Sequence, residues 1–321
     1  MVEVIPFNDF FYKSCYYNSL FSILQTYNLD ISPLLLHDIF YYDCNINDKD
    51  FKIKLKYKEL ISAKEIMSAL GFQISSKYHV ENVINSIKEE LDNNTFVIIW
   101  IDCYYLSNRM DTYQKHHWPH SILFYDYFCE NNYFKIIDHD KKETLTYRRR
   151  SISAEDIQNA YHGFSKMFQN RDYDQFYAIK RIGNGVNHYE GMNRKKVYRE
   201  NIESNFELLY HGVETLKELD GMFLEQVYEK RSDSLLLTKV IDDLNDILMK
   251  KIALLYLYNL VIEPENIWNL NCKIIQNKIR LLRDVLVKCY LTNRINKEEI
   301  AKRICFRELY KLEKECLEHL F

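Results

Sequence analysis

Apolar residues between positions 96 and 138 fall into three runs of strand length, separated by polar segments. β-branched and aromatic residues dominate these runs, which is typical of sheet strands. The runs are Phe96–Cys103, Ser121–Phe128 and Tyr133–Asp138. Asn131-Asn132 predicts a hairpin turn between the last two, because Asn tolerates positive φ. Such a hairpin would place His120, where one strand begins, beside Asp138, where the other ends.

A helical pattern upstream provides a candidate nucleophile. From Cys15 onward apolar residues recur at helical spacing, and Ser14 can cap the start. Cys15 would then lie in the first turn, where unsatisfied backbone N–H groups and the helix dipole favour a thiolate. With His120 and Asp138 it would supply a nucleophile, a base and a residue that orients the base. The alternative is a buried cysteine in an amphipathic helix.

The rest of the N-terminal half mixes helical and strand patterns, which indicates an α+β fold. Helices are predicted at Ser32–Tyr42, at Ser62–Leu70 before Gly71, at Val80–Leu91 and from Ser153 onward. Further strands are predicted at Phe51–Tyr57, Phe72–Ser75 and Gln175–Arg181.

From Lys195 onward no strand pattern is found, and four long segments show helical periodicity: 205–230, 235–262, 266–290 and 297–319. A glycine cluster, Ile182–His188, marks the predicted boundary between a catalytic domain, residues 1–185, and a helical bundle, residues 186–321. The bundle would serve as packing support, as a docking surface or as a wall of the active-site cleft.

Composition excludes several classes of protein. Lys and Arg number 43 and Asp and Glu 46, so no bulk attraction to nucleic acid is expected. The longest uncharged apolar run, Ile252–Ile262, is shorter than the ~20 residues that span a bilayer, and no secretion signal is visible. Eight cysteines without CxxC spacing are typical of neither a zinc motif nor a disulfide framework. We therefore expect a cytoplasmic protein that binds neither nucleic acid nor membrane.

A long loop, Tyr104–Pro119, joins the first two of the central strands and is expected to overhang the site. His116 and His117 within it have no carboxylate or cysteine partner at ligand spacing, so no metal site is expected. Three aromatic residues of the loop are predicted to line the cleft and exclude water, with packing under the loop as the alternative. They are Tyr104, Tyr105 and Trp118.

The order Cys15, His120, Asp138 resembles that of papain-like cysteine enzymes, among them the bacteriocin-leader-processing peptidases. The chain is more specifically similar to the N-terminal domain of butirosin-type side-chain acyltransferases, strongly over residues 10–165 and weakly afterwards. The similar segments are SCYYNSLFSIL around the cysteine, IDCYYL at 101–106, the histidine with its apolar strand, IIDHD and SISAEDIQNAY. Two positions depart from the family: Ser14 stands in place of a His, and Asp126-Tyr127-Phe128 in place of Gly-Tyr-Asp.

The resemblance implies a papain-like fold and acyl transfer. Members of the family act in thiotemplated antibiotic assembly, closthioamide biosynthesis included. An acyl group would leave the phosphopantetheine thioester of a carrier protein, bind Cys15 and pass to a small amine to form an amide. No cofactor is expected beyond the phosphopantetheine that arrives on the carrier. Papain-like enzymes use an upstream Gln as oxyanion donor; this chain has none before Cys15, so its backbone N–H and the Asn8 side chain are the candidates.

Two other functions fit the same residues. A cysteine peptidase would use the same triad to hydrolyse an extended peptide, and a catalytically inert binding module would need no triad geometry. Two basic clusters, Arg148–Arg150 and Arg194–Lys196, are candidates for docking an acidic carrier protein; solvated surface charge is the alternative.

Overall fold

The computed structural model describes residues 2–47, 50–139, 145–183, 189–217, 219–229, 234–262, 266–294 and 297–319. Two compact units are present: unit 1 comprises Met1–Pro33 and Ser62–Met192, and unit 2 comprises Leu34–Ile61 and Asn193–Phe321. The units differ from the predicted ranges 1–185 and 186–321 because residues 34–61 pack with the C-terminal helices. Most of the predicted glycine cluster, residues 184–188, lies outside the described residues.

The chain folds as a mixed α+β protein with antiparallel sheets and a C-terminal helical region. The first part comprises α1 (Cys15–Thr26), α2 (Pro33–Leu36), β1 (Asp38–Asn47), β2 (Asp50–Glu59), α3 (Ala63–Ala69), β3 (Phe72–Lys77), α4 (Val83–Asp92), β4 (Thr95–Asp102), a 3-10 turn (Cys103–Tyr105), β5 (Pro119–Phe128), β6 (Tyr133–Asp138), β7 (Arg148–Ser153), α5 (Ala154–Met167) and β8 (Phe176–Arg181). The helices that follow are α6 (Arg194–Glu203), α7 (Phe206–Glu214), α8 (Leu219–Glu229), α9 (Ser234–Val261), α10 (Ile267–Thr292), α11 (Lys297–Arg303) and α12 (Phe306–Glu318).

A six-stranded antiparallel sheet, with strand order β3-β8-β4-β5-β6-β7, forms the centre of unit 1. The predicted hairpin is confirmed: Leu123 of β5 pairs with Ile137 of β6, and Asn132 in the turn has a φ of 53°. The buried β4 strand packs against α4 and α5, and α1 packs against β5. Because α1 and the β5–β6 hairpin meet in this way, the start of the helix can approach one end of the hairpin.

Two element predictions in unit 1 were imprecise. Helix α4 begins at Val83, with Asn82 as its cap, and not at Val80. The segment Arg148–Ser153 is a strand at the edge of the sheet, paired with β6, although its three arginines gave no strand pattern. The helix cap at Ser153 is as predicted, since its hydroxyl accepts a hydrogen bond from the Asp156 amide.

The predicted helix Ser32–Tyr42 was wrong over most of its length. Only Pro33–Leu36 is helical, and the chain then enters β1, which pairs with β2 along its whole length from Asp38↔Glu59 to Asn47↔Asp50. A second long strand, β2, follows closely in sequence and can pair with this segment. The three consecutive aromatic residues Phe40, Tyr41 and Tyr42 also favour a strand.

In unit 2 the β1–β2 hairpin packs against helices. The β2 strand contacts α9, and β1 contacts α7. Gly212 of α7 permits the close approach, because a Cβ there would come within 2.7 Å of the Tyr42 carbonyl oxygen. Two of the predicted long helices are each interrupted, 205–230 into α7 and α8 and 297–319 into α11 and α12.

Within the part of the chain that the structure describes, no helix has both the length and the apolar character that crossing a membrane requires.

Candidate active site

Cys15 is the first residue of α1, and the chain before it is held in place by the helix itself. Asn18 accepts a hydrogen bond from the Tyr12 amide at 3.2 Å and donates one to the Phe10 carbonyl at 2.9 Å. Ser14 occupies the cap position as predicted, but its side chain makes no capping hydrogen bond. Its neighbour Lys13 takes a φ of 51°, which turns the chain sharply into the helix.

The structure brings together the three side chains proposed from the sequence as a triad. The Cys15 sulfur lies 3.0 Å from Nδ1 of His120, and Nε2 of the same ring lies 2.7 Å from Oδ1 of Asp138. All three are buried, with Cys15 6 % exposed and the other two fully enclosed. The distances are those of a nucleophile, a base and an orienting carboxylate in hydrogen-bond contact.

These contacts change the acidity of each group. Burial by itself opposes ionisation of the Cys15 thiol, but the charge of His120 and its hydrogen bond outweigh burial and lower the pKa of Cys15 to about 5. Burial likewise disfavours the imidazolium, yet the charges of Cys15 and Asp138 raise the pKa of His120 to about 9. The pKa of Asp138 is lowered despite burial, chiefly by the charge of His120. Near neutral pH the site therefore holds a thiolate and an imidazolium.

A buried arginine supports the carboxylate, and sequence reasoning missed it. Arg109 comes from the loop between β4 and β5, is fully enclosed, and places Nη1 3.8 Å from Oδ1 of Asp138. It is held in turn by Asp111, to which its Nε donates at 3.2 Å, and by the His139 carbonyl at 3.4 Å. The same Asp138 oxygen accepts the backbone N–H of His139 at 2.7 Å. The contacts to Asp138 all reach Oδ1 and compensate part of the cost of burying the carboxylate, whose Oδ2 has no hydrogen-bond partner among the described residues.

Trp118 is the loop aromatic residue that reaches the triad. Its ring lies parallel to the His120 ring, with centroids 5.3 Å apart and an interplanar angle of 8°, and the Arg109 guanidinium carbon lies 5.0 Å from its ring centroid. The indole thus covers one face of the imidazole, which fixes the plane of the ring.

Tyr104 and Tyr105 lie elsewhere. Tyr104 stacks on His117 at 4.4 Å, and His117 in turn contacts Asp102 at 2.6 Å. Tyr105 packs against Gly163 of α5, where any Cβ would overlap its ring. Both tyrosines line a depression formed with the start of α5 that includes none of the three triad residues. Tyr105 thus packs against α5, as in the alternative given above, and Tyr104 stacks on the loop residue His117.

The Asn8 side chain binds the backbone of Tyr147, a residue that sequence reasoning also missed. Its amide nitrogen donates to the Tyr147 carbonyl at 2.9 Å, and its amide oxygen accepts the Tyr147 N–H at 2.7 Å. Both polar groups of the Asn8 side chain are therefore used in holding the Tyr147 backbone. The Tyr147 side chain is buried, and burial followed by the charge of the nearby Cys15 raises its pKa well above the ordinary value.

His139 completes the wall of the site. Its ring meets the His120 ring edge to face, with centroids 4.6 Å apart, and the Tyr147 ring at 4.9 Å. The pKa of Cys15 is lowered in part by a hydrogen bond and charge from His139. A clue was present in the sequence, because His139 directly follows Asp138, the last residue of β6.

The two basic clusters lie in different units. Arg148–Arg150 open the edge strand β7, where Arg149 donates to the Val4 carbonyl at 2.9 Å and forms an ion pair with Glu3. Arg194–Lys196 form the first turn of α6, where Lys196 lies 3.8 Å from Glu200.

Comparison with known proteins agrees with the resemblance seen in the sequence. No curated protein matches the chain. The family model described as butirosin biosynthesis protein H, N-terminal, matches residues 51–139, about a quarter of the chain. The matched segment contains His120, Asp138 and Arg109 but not Cys15. The match supports a family-level relationship between this part of the chain and butirosin biosynthesis protein H.

Proposed function

We propose that the protein is a papain-like cysteine acyltransferase that moves an acyl group from a carrier-protein thioester through Cys15 to an amine. The observation that carries the proposal is the buried contact chain in which the Cys15 sulfur lies 3.0 Å from His120 and His120 lies 2.7 Å from Asp138. The match to butirosin biosynthesis protein H is consistent with an antibiotic-biosynthesis acyltransferase at the level of the family.

In the first step the Cys15 thiolate attacks the thioester carbonyl. The carbon–sulfur bond to phosphopantetheine then breaks, and the imidazolium of His120 protonates the departing thiol. Exchange of one thioester for another is nearly isoenergetic, so the protein needs only a positioned nucleophile and a stabilised oxyanion. The thiolate–imidazolium pair already present at rest supplies both the nucleophile and the proton.

In the second step an amine attacks the acyl-Cys15 carbonyl. Neutral His120 accepts the proton of the amine, the amide forms, and the Cys15 thiolate is restored as the leaving group. Asp138 keeps the His120 ring in one orientation and stabilises its charged form, and Arg109 and Trp118 hold Asp138 and His120 in place.

Burial of the triad favours acyl transfer over peptide hydrolysis. A peptidase needs a groove for an extended chain and ready access of water to the acyl-enzyme. Here Cys15 is 6 % exposed, His120 is enclosed, and Trp118 covers one face of the imidazole. An enclosed acyl-enzyme is protected from water and is better suited to aminolysis.

The direct test is intact-mass analysis after incubation with a carrier-bound acyl thioester. We expect the protein to gain one acyl group, and we expect Cys15→Ala to gain none. Cys129 is an exposed cysteine of the same chain, so Cys129→Ser is the matched control and should acylate normally. An adduct on Cys129, or none at all, would contradict acyl transfer through Cys15. If water clears the adduct as fast in the presence of amines as in their absence, the peptidase is the better assignment.

A further inference from the structure

A group of metal-ligating side chains surrounds the Cys15 sulfur. Among the described residues, Cys15, His120 and His139 form a group whose ligand atoms all lie within 4.8 Å of one another, and all three residues are buried. The acyl-transfer steps above use Cys15 and His120 but leave His139 without a chemical role.

The set of donor atoms suits zinc. A thiolate and two imidazoles are common zinc ligands, at about 2.3 Å for sulfur and about 2.0–2.1 Å for nitrogen. Side-chain rotations would have to shorten the overall spread of up to 4.8 Å and open the 3.0 Å separation between the Cys15 sulfur and His120 Nδ1, because sulfur and nitrogen ligands of one tetrahedral zinc ion lie about 3.5 Å apart. The outer contacts are also in place: Nε2 of His120 lies 2.7 Å from Asp138, which turns Nδ1 toward the sulfur. A carboxylate on the far nitrogen of a ligating histidine is typical of zinc sites.

We propose that Cys15, His120 and His139 bind Zn²⁺ through one sulfur and two nitrogen atoms, with water in the fourth position. The proton shared between Cys15 and His120 passes to solvent when the ion binds, because both atoms must offer a lone pair. The ion then occupies the nucleophilic sulfur and inhibits acylation reversibly. Metal binding stands on the geometry alone, and only its inhibitory effect rests on the proposed function.

Co²⁺ bound to the metal-free protein tests the donor set directly. We expect one ion per chain and a near-ultraviolet charge-transfer band from the thiolate, which Zn²⁺ abolishes by displacement. Cys15→Ala should lose the band. His139→Gln should weaken Zn²⁺ affinity by at least about 100-fold, since loss of an outer partner alone costs 10–100-fold. His116→Gln is the matched control and should bind normally, because His116 is an exposed histidine of the loop.

A second measurement uses the unaltered chain and needs no substrate. Zn²⁺ should protect Cys15 from alkylation by iodoacetamide while exposed Cys129 remains reactive. A Co²⁺ spectrum without the thiolate band, His139→Gln with full Zn²⁺ affinity, or equal alkylation of Cys15 with and without Zn²⁺ would overturn the metal site. Failure of acylation in the metal-free protein would instead contradict the acyltransferase and leave the metal site standing.

A different observation identifies a further catalytic group. Tyr147 is 4 % exposed, and its hydroxyl has no nitrogen or oxygen partner among the described residues. A hydrogen bond with the Cys15 sulfur contributes to the raised pKa of Tyr147. A buried hydroxyl whose partner is a sulfur atom leaves part of its hydrogen-bonding capacity unused, so such groups call for a functional explanation. Asn8 fixes the Tyr147 backbone through two hydrogen bonds, and the phenol lies near enough to Cys15 to feel its charge.

We infer that the Tyr147 hydroxyl donates a hydrogen bond to the oxyanion formed when Cys15 attacks the thioester. This inference rests on the proposed function. The chain has no Gln before Cys15 to serve as donor, and Asn8, the side chain expected there, holds Tyr147 instead. When Cys15 attacks, its sulfur loses the negative charge, so the fixed phenol can turn its hydrogen bond from the sulfur to the carbonyl oxygen as negative charge develops there.

The test separates oxyanion stabilisation from simple packing by comparing two reactions of Cys15. Tyr147→Phe should slow acylation by a thioester about 10²–10³-fold, the usual cost of one oxyanion donor. Alkylation by iodoacetamide, which forms no oxyanion, should keep its rate. Tyr133→Phe, at an exposed tyrosine of β6, should change neither reaction. Unchanged acylation, or an equal loss of both reactions, would overturn the role of Tyr147.

Discussion

Each unit of the protein encloses a cysteine close to a cation, Cys15 in unit 1 and Cys272 in unit 2, but the pKa values of these two thiols move in opposite directions. In unit 1 the His120 charge overcomes burial and brings the pKa of Cys15 down to about 5. In unit 2 the buried Lys251 forms an ion pair with Glu313, which also accepts a hydrogen bond from the Tyr42 hydroxyl at 2.7 Å. Burial, only partly offset by Lys251, raises the pKa of the nearby Cys272 to about 11.

The difference indicates that burial raises the pKa of a thiol and that a cation in direct contact with the sulfur lowers it enough to favour the thiolate. In unit 2 the lysine's charge is taken up by Glu313, and the pKa of Cys316 rises to about 12 through burial and then the Glu313 charge. In unit 1 the cation touches the sulfur itself at 3.0 Å. We call the Cys15–His120–Asp138 group the first cluster and the Lys251–Glu313–Cys272 group the second cluster. We therefore expect the first cluster to govern activity and the second cluster to govern stability.

The largest expected effect is loss of activity on breaking the first cluster. His120→Ala should lower the rate of amide formation by about 10⁴-fold or more, because members of a triad act as a unit. Steady-state product formation with a carrier-bound donor measures this, and circular dichroism should show an unchanged fold. Activity within tenfold of the wild type would contradict the role of His120 as base.

Breaking the second cluster should cost stability and spare the chemistry. Lys251→Met leaves the Glu313 carboxylate buried without its cation, and removing one partner of a buried ion pair costs about 3–5 kcal/mol. The double variant Lys251→Met/Glu313→Leu should regain most of that loss, since both charges are gone. Urea unfolding followed by fluorescence measures each change. Equal destabilisation by the single and the double variant would show that the ion pair is not the cause.

The pH dependence of alkylation sharpens the contrast between the thiols. With a pKa of about 5, Cys15 should react with iodoacetamide at a constant rate at neutral pH and lose half of that rate near pH 5. Asp138→Asn removes a charge that raises the pKa of His120, so the midpoint for Cys15 should move to higher pH. Peptide mass spectrometry separates this thiol from Cys272, which should stay unmodified in the folded protein. A midpoint near 8.5, the value of a free cysteine, would refute the ion pair.

A smaller effect is expected at Trp118, whose ring covers one face of His120. Trp118→Ala exposes one face of His120 to water, so the ratio of hydrolysis to amide formation should rise several-fold. Tyr104→Ala is the comparison, because Tyr104 stacks on His117 and lines a different depression. Chromatography of both products gives the ratio. An unchanged ratio in Trp118→Ala with reduced stability would assign the indole to packing.

The smallest effect concerns docking of the carrier protein, which we propose involves one of the basic clusters. Arg148→Glu/Arg150→Glu spares Arg149, which bonds the N-terminal segment, and Lys195→Glu/Lys196→Glu alters the other cluster. Charge attraction mainly speeds encounter, so a docking cluster should lose rate with a carrier donor at low salt and little at high salt. A small soluble thioester is the control substrate. Equal loss with both donors would exclude docking.

Local pattern in the sequence determined most elements of unit 1. Apolar spacing, Asn132 in its turn and the capping residue Ser153 gave the central strands, the hairpin and a helix start. These signals are local, because each depends on residues a few positions apart. They also placed Cys15 in the first turn of its helix, where the structure has it.

Tertiary structure decided what surrounds the sulfur and where the β1–β2 hairpin packs. Arg109 and Tyr147 reach the site through contacts between segments distant in sequence, and no local spacing records such contacts. His139 adjoins Asp138 in sequence, but only the fold brings it to Cys15. Residues 38–42 are a strand because β2 pairs with them and α7 and α9 cover the ribbon, a long-range gain in burial that overrides the helical pattern. The sequence thus determined which residue types were available, and packing determined which of them touch Cys15.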